Sequence, residues 1–90
     1  MLERNVTYRY DSNYFRFIER GSFASAATLV PFIKKKLNPQ SVVDFGCGRG
    51  AWLKVWIETG VTDVIGVDGD YVVKNELHID AKKFQVQHLE

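Results

Sequence analysis

At 90 residues the chain has room for one small domain, and its 46% hydrophobic and 26% charged residues are those of an ordinary folded protein. A net charge of +1 gives no general electrostatic case for nucleic acid, and the single cysteine, Cys47, excludes an internal disulfide and agrees with a reducing compartment. No apolar run approaches the ~20 residues that span a bilayer and the polar N-terminus lacks a signal-peptide pattern, so a cytoplasmic protein without a membrane partner is expected.

Residues 1–40 read as a helical flank. Asp11 and Ser12 suit the N-cap of a short helix over residues 13–19, which Gly21 would end. A second helix is expected from about 23 to 37, because Phe23, Ala26, Val30, Ile33 and Leu37 recur at steps of three and four and form one apolar stripe. Pro31 interrupts that pattern, and Asn38-Pro39 ends it. Lys34, Lys35 and Lys36 fall in the last turn, where cations complement the helix dipole. Five aromatics, Tyr8, Tyr10, Tyr14, Phe15 and Phe17, are expected to pack against a sheet or another subunit, ahead of a role as a lid over a ligand.

Residues 42–53, VVDFGCGRGAWL, carry the strongest signal. Two valines and Asp44 lead into glycines at alternate positions, Gly46, Gly48 and Gly50, and a helical segment follows at once. This is a strand, a tight turn and a helix start. The turn needs positive φ, and any Cβ would keep a ligand off the backbone. Trp52, Val55, Trp56 and Thr59 then fall at helical spacing, with Leu53 and Ile57 beside them, and Gly60 closes the helix. That face is expected to be core. A second strand, Val64-Ile65-Gly66-Val67, ends in Asp68, eighteen residues past Gly50. This is about where a nucleotide-binding βαβ unit places the carboxylate that grips ribose hydroxyls, roughly 20 residues past the glycines. Asp68 is expected at an exposed strand end.

The glycines alone fit two ligands, since Gly46, Gly48 and Ala51 also satisfy the dinucleotide fingerprint G-x-G-x-x-G/A. Asp44 separates them. A carboxylate at the strand tip repels a pyrophosphate but attracts S-adenosylmethionine (SAM), which carries a sulfonium and an α-ammonium and no phosphate.

VVDFGCGRG and VIGVD together resemble the class I SAM-dependent methyltransferases, whose first motif is apolar-apolar-acid-apolar-G-x-G-x-G and whose second is an apolar strand ending in an acid. The resemblance implies that Gly46, Cys47, Gly48 and Gly50 form the loop beneath the methionine moiety. Asp68 would hold the ribose, Gly69 and Asp70 would lie near the adenine, and Asp44 near the amino-acid end. The stretch GVDGDYV, followed by NELHIDAKKFQVQHLE, further resembles a subgroup in which a short helix leads to F-x-x-x-D-L-E. There His88 takes the place of an aspartate bordering the adenine, where an imidazole still donates or accepts one hydrogen bond.

Other constellations are weak. His78 and His88 lack the spacing of a zinc site. Cys47 lies near a helix N-terminus, which lowers a thiol pKa, but small size in a tight turn explains it better than nucleophilic catalysis. Arg49 suits either a pair with the SAM carboxylate or plain solvation. No P-loop motif occurs.

The expected fold is α/β. It is a Rossmann-like three-layer sandwich present as its N-terminal half, with a helical extension and a partial parallel sheet. Residues 41–90 would be the first part of the SAM-binding domain, within a single unit 1–90. A complete core of this kind has seven strands and does not fit, so an N-terminal portion of a methyltransferase is expected, with an unknown acceptor and no nameable catalytic residue. Its third strand, within residues 84–89, would leave an edge open to self-association. The alternatives are an NAD(P)-binding oxidoreductase fragment and a non-catalytic assembly module.

Overall fold

The computed structural model describes residues 12–87. It opens with one helix, α1, Ser12–Leu37, where the sequence suggests two. Gly21 does not break it. A Cβ at that position would meet nothing within 4 Å, so the glycine costs only its local propensity, about 1 kcal/mol. Pro31 also lies inside the helix. The hydrogen bond it forgoes would have gone to the carbonyl of Ala27, and both residues are exposed, so water can satisfy that oxygen. The helix ends at Leu37, and Asn38, just before Pro39, closes it. This residue has φ 44 and donates its N–H to the Lys34 carbonyl at 2.9 Å, while its Oδ1 accepts from Lys34 Nζ at 2.8 Å.

The apolar stripe of α1 holds at Ala26 and Val30, which are fully buried, and at Phe23 and Ile33, which are partly buried. It fails at Leu37, which is 74% exposed where the helix runs past the sheet. Phe17 is likewise exposed and does not pack on the sheet. Tyr8, Tyr10 and the Asp11 cap lie outside the described residues, as do the side chains of Tyr14 and Phe15.

Three parallel strands follow: β1 (Ser41–Phe45), β2 (Asp63–Asp68) and β3 (Phe84–Val86), in the spatial order β1-β2-β3. Helix α2, Ala51–Glu58, crosses from β1 to β2, and Gly60, at φ 103, turns the chain after it. Val43 pairs with Ile65 and Phe45 with Val67, while Gly66 pairs with Phe84. Between β2 and β3 the chain makes two single 3₁₀ turns, Lys74–Glu76 and Ala81–Lys83, in place of the expected short helix.

Leu53, Val55 and Trp56 of α2 meet Ala26 and Val30 of α1 over Val61, Val64 and Ile79, and this is the core. All of it lies on one face of the sheet. Alternation turns Val43 and Phe45 to the opposite face, where they are 55% and 71% exposed, beside Ile65. Parallel sheets are normally covered on both faces. Among the described residues, no helix is long and apolar enough to cross a membrane.

Candidate functional site

The three alternate glycines all adopt left-handed backbone, with φ of 79°, 58° and 92° at Gly46, Gly48 and Gly50. They differ in what they face. A Cβ on Gly46 or Gly48 would meet nothing within 4 Å, so these two border open space. A Cβ on Gly50 would press on Ile79 at 3.2–3.3 Å, so Gly50 is packed closely against that side chain. The loop is anchored to the end of β2, because the Gly46 and Cys47 N–H groups both donate to the Val67 carbonyl, at 2.7 and 3.2 Å.

Asp68 ties the loop to the turn after β2. Its Oδ2 accepts from the Gly48 N–H at 2.7 Å, and its Oδ1 accepts from the Gly69 N–H at 2.7 Å and the Tyr71 hydroxyl at 2.5 Å. It is only 5% exposed, which corrects the expectation of an exposed strand end. Strand pairing places Gly66 beside Asp44 and carries the chain straight on to Asp68, so the carboxylate closes over the loop instead of pointing to solvent. Asp44 is half-buried on β1 and faces the helices. Burial, and then the nearby charge of Asp68, raises its pKa above the usual carboxylate value.

A cavity of about 280 Å³ opens between α1 and the loop, lined by Ile18, Glu19, Ser22, Asp44, Gly46–Arg49, Ala51 and Trp52. Asp44 and Trp52 also line a second cavity of about 210 Å³ beside Val42, Val43, Leu53 and Trp56.

Two loop side chains are engaged inside the protein. The Cys47 thiol is pushed up to about 12, first by burial and then by the charges of Asp44 and Asp68, so these effects outweigh the helix N-terminus. It is a neutral packing group, and any Cβ on Gly66 would lie 2.6 Å from its Sγ. Arg49, which also lines the cavity, is engaged within the protein instead of simply solvated. It pairs with Glu76 at 3.1 Å and with Glu19 at 3.7 Å.

A family model described as "Methyltransferase domain" matches residues 10–90. The chain belongs to that family of methyltransferases. This methyltransferase domain is 33% identical over 69 residues, 71% of the chain, to an mRNA-capping enzyme of African swine fever virus, and spans 8% of that protein. It is 56% identical over 27 residues, 30% of the chain, to ribosomal RNA large subunit methyltransferase E of a Caulobacter species, and spans 12% of it. No solved structure matches the chain.

In the methyltransferase domain, Gly46, Cys47 and Gly48 line one cavity with Asp44, and Asp68, itself bonded to the Gly69 N–H, is joined to that loop through the Gly48 N–H. Gly50 packs against Ile79, Asp70 lies exposed on the following turn, and His88 falls outside the described residues. Sequence reasoning missed Glu19 and Tyr71. A hydroxyl three residues past Asp68, in a G-D-Y turn, was a readable signal for Tyr71. Nothing local points to Glu19.

Proposed function

We propose that this methyltransferase domain binds SAM between the glycine loop and the end of β2, with the methionine end in the cavity beside Asp44. The observation that carries the reading is charge. Asp44 and Glu19 line the cavity against Gly46 and Gly48, with Asp68 behind them, while Arg49 is already engaged by two glutamates. Such a cleft favours a cationic ligand and opposes the pyrophosphate of NAD.

The residues present fit the cofactor. The bare Cα atoms of Gly46 and Gly48 leave room for a ligand against the backbone. Asp68 supplies the acceptor for ribose hydroxyls. It has about four lone-pair sites, of which three are taken, one by the hydroxyl of the exposed Tyr71. A ribose hydroxyl takes the remaining site or displaces Tyr71. When bound, SAM supplies an activated methyl group for in-line transfer to a nucleophile. The contribution of the domain is to hold the donor, and positioning of this kind accounts for much of the catalysis in such transfers. The names of the two relatives make RNA the first acceptor class to assay.

Amide chemical-shift titration tests the reading. SAM or S-adenosylhomocysteine should shift residues 46–50 and 68–70, and NAD should not. Shifts at these residues with NAD alone would overturn the cofactor assignment.

A further inference from the structure

Side chains from three separate segments meet above the glycine loop. Glu19 of α1 places Oε2 2.9 Å from His78 Nε2 and Oε1 3.7 Å from Arg49 Nη1. Arg49 leans the other way, to Glu76 at 3.1 Å, and its carbonyl accepts the His78 N–H at 2.8 Å. The Glu19 side chain is only 15% exposed and is held by these contacts, and the His78 ring it bonds meets the Phe23 ring edge-on at 5.1 Å. The two oxygens are not equivalent. Oε2 makes a hydrogen bond, whereas 3.7 Å is beyond hydrogen-bond range, so Oε1 keeps acceptor capacity. Glu19 lines the same cavity as Asp44, Gly46 and Gly48.

We propose that Glu19 is a specificity residue, a second carboxylate that together with Asp44 brackets the α-ammonium of the cofactor's amino-acid end. The inference rests on the SAM reading above and adds that α1 contributes directly to the ligand site instead of merely covering it. Glu19 and Asp44 line this one cavity from separate elements, α1 and β1, so a cation seated in it pairs with both. Ligands bearing the amino-acid group are therefore preferred over the bare thionucleoside, and Glu19 supports that preference.

The test is calorimetric titration of wild type and Glu19→Gln with S-adenosylhomocysteine and with 5′-methylthioadenosine, which has the same nucleoside but no amino acid. Glu19→Gln should weaken S-adenosylhomocysteine binding at least about tenfold, as expected for loss of a hydrogen bond to a charged group. It should change 5′-methylthioadenosine binding less than about twofold, because that ligand makes no contact with position 19. An equal loss for both ligands would mean that Glu19 acts only by clamping the loop, and no loss for either would mean that it does not act at all. Either result overturns the inference while the SAM reading stands. Failure of wild type to bind either nucleoside would remove the SAM reading and this inference with it. Should Glu19→Gln not fold, Glu19→Asp withdraws the same charge by one methylene. The ratio of the two affinities should then fall in the same direction, and an unchanged ratio counts against the proposal.

Discussion

Replacing Asp68 by alanine should damage folding and binding together. The carboxylate is 5% exposed and accepts from Gly48 N–H, Gly69 N–H and the Tyr71 hydroxyl, so Asp68→Ala strands three donors at once. A stranded buried donor costs about 1–3 kcal/mol. Gly48 and Gly69 are half-buried and Tyr71 is exposed, so water recovers part of that cost, which leaves a total of about 2–4 kcal/mol. Against a whole-domain stability of about 5–15 kcal/mol, this is a large share. In a domain of this size 1 kcal/mol moves Tm by about 4–8 °C, so the variant should melt at least about 8 °C below wild type. Its affinity for SAM should fall by at least about tenfold, because the hydrogen bonds lost are charge-assisted. Asp68→Asn keeps one oxygen for Tyr71 and Gly69 but turns an amide N–H₂ toward the Gly48 N–H, and should fall between the two. Thermal melts followed by circular dichroism check the first part, and calorimetric titration of the folded variant checks the second. A melting temperature within about 2 °C of wild type would refute the claim that Asp68 holds the two loops together.

Asp44 has its pKa raised by burial and by Asp68, so the folded state holds that proton more tightly than the unfolded chain does. Its contribution to stability is present at acid pH and lost as pH rises through the folded value, and Asp44→Asn should therefore raise Tm at pH 7 while weakening SAM binding; a lower Tm at pH 7 would contradict this. The Cys47 thiol, pushed up to about 12, should be alkylated by iodoacetamide at pH 8 at least about tenfold more slowly in the folded than in the unfolded protein, and stability should decline from about pH 9 upward as the unfolded thiol ionises first. Gly66→Ala drives a methyl to 2.6 Å from Cys47 Sγ and 3.0 Å from Leu53 Cδ1, and should cost about 1–3 kcal/mol in chemical denaturation, with Cys47→Ala recovering part of it in a double-mutant cycle. Tyr71→Phe removes the hydroxyl that competes for Asp68, so SAM affinity should rise about twofold or more. A tenfold fall would mean that Tyr71 touches the ligand.

The stretch from β1 through β2 was legible because its signals are local. Alternate glycines dictate a left-handed turn, the apolar spacing from Ala51 dictates α2, and Val64–Val67 ending in Asp68 dictates a strand aimed at that turn. The continuity of α1 was not legible. Gly21 and Pro31 are breakers by local rules, and only their exposed positions make them tolerable. The burial of Asp68 was hidden for a related reason, since it depends on where the backbone of Gly48 and the side chain of Tyr71 arrive in space. The cluster above the loop lay further still from sequence reasoning. Glu19 and His78 are 59 positions apart, and no periodicity relates them.

The glycine loop and the turn after β2 are joined by the same carboxylate that is proposed to grip the ribose, so assembly of the cleft and recognition of its ligand draw on one side chain. Position 68 is thereby closed to gradual change. A substitution there that altered nucleoside preference would first be registered as a folding defect. Divergence toward another nucleoside has an easier path through the exposed Asp70, or through Tyr71, whose hydroxyl can be removed without stranding a backbone donor. In directed evolution of the domain, variants with altered nucleoside preference should therefore accumulate at positions 70 and 71 while Asp68 stays fixed.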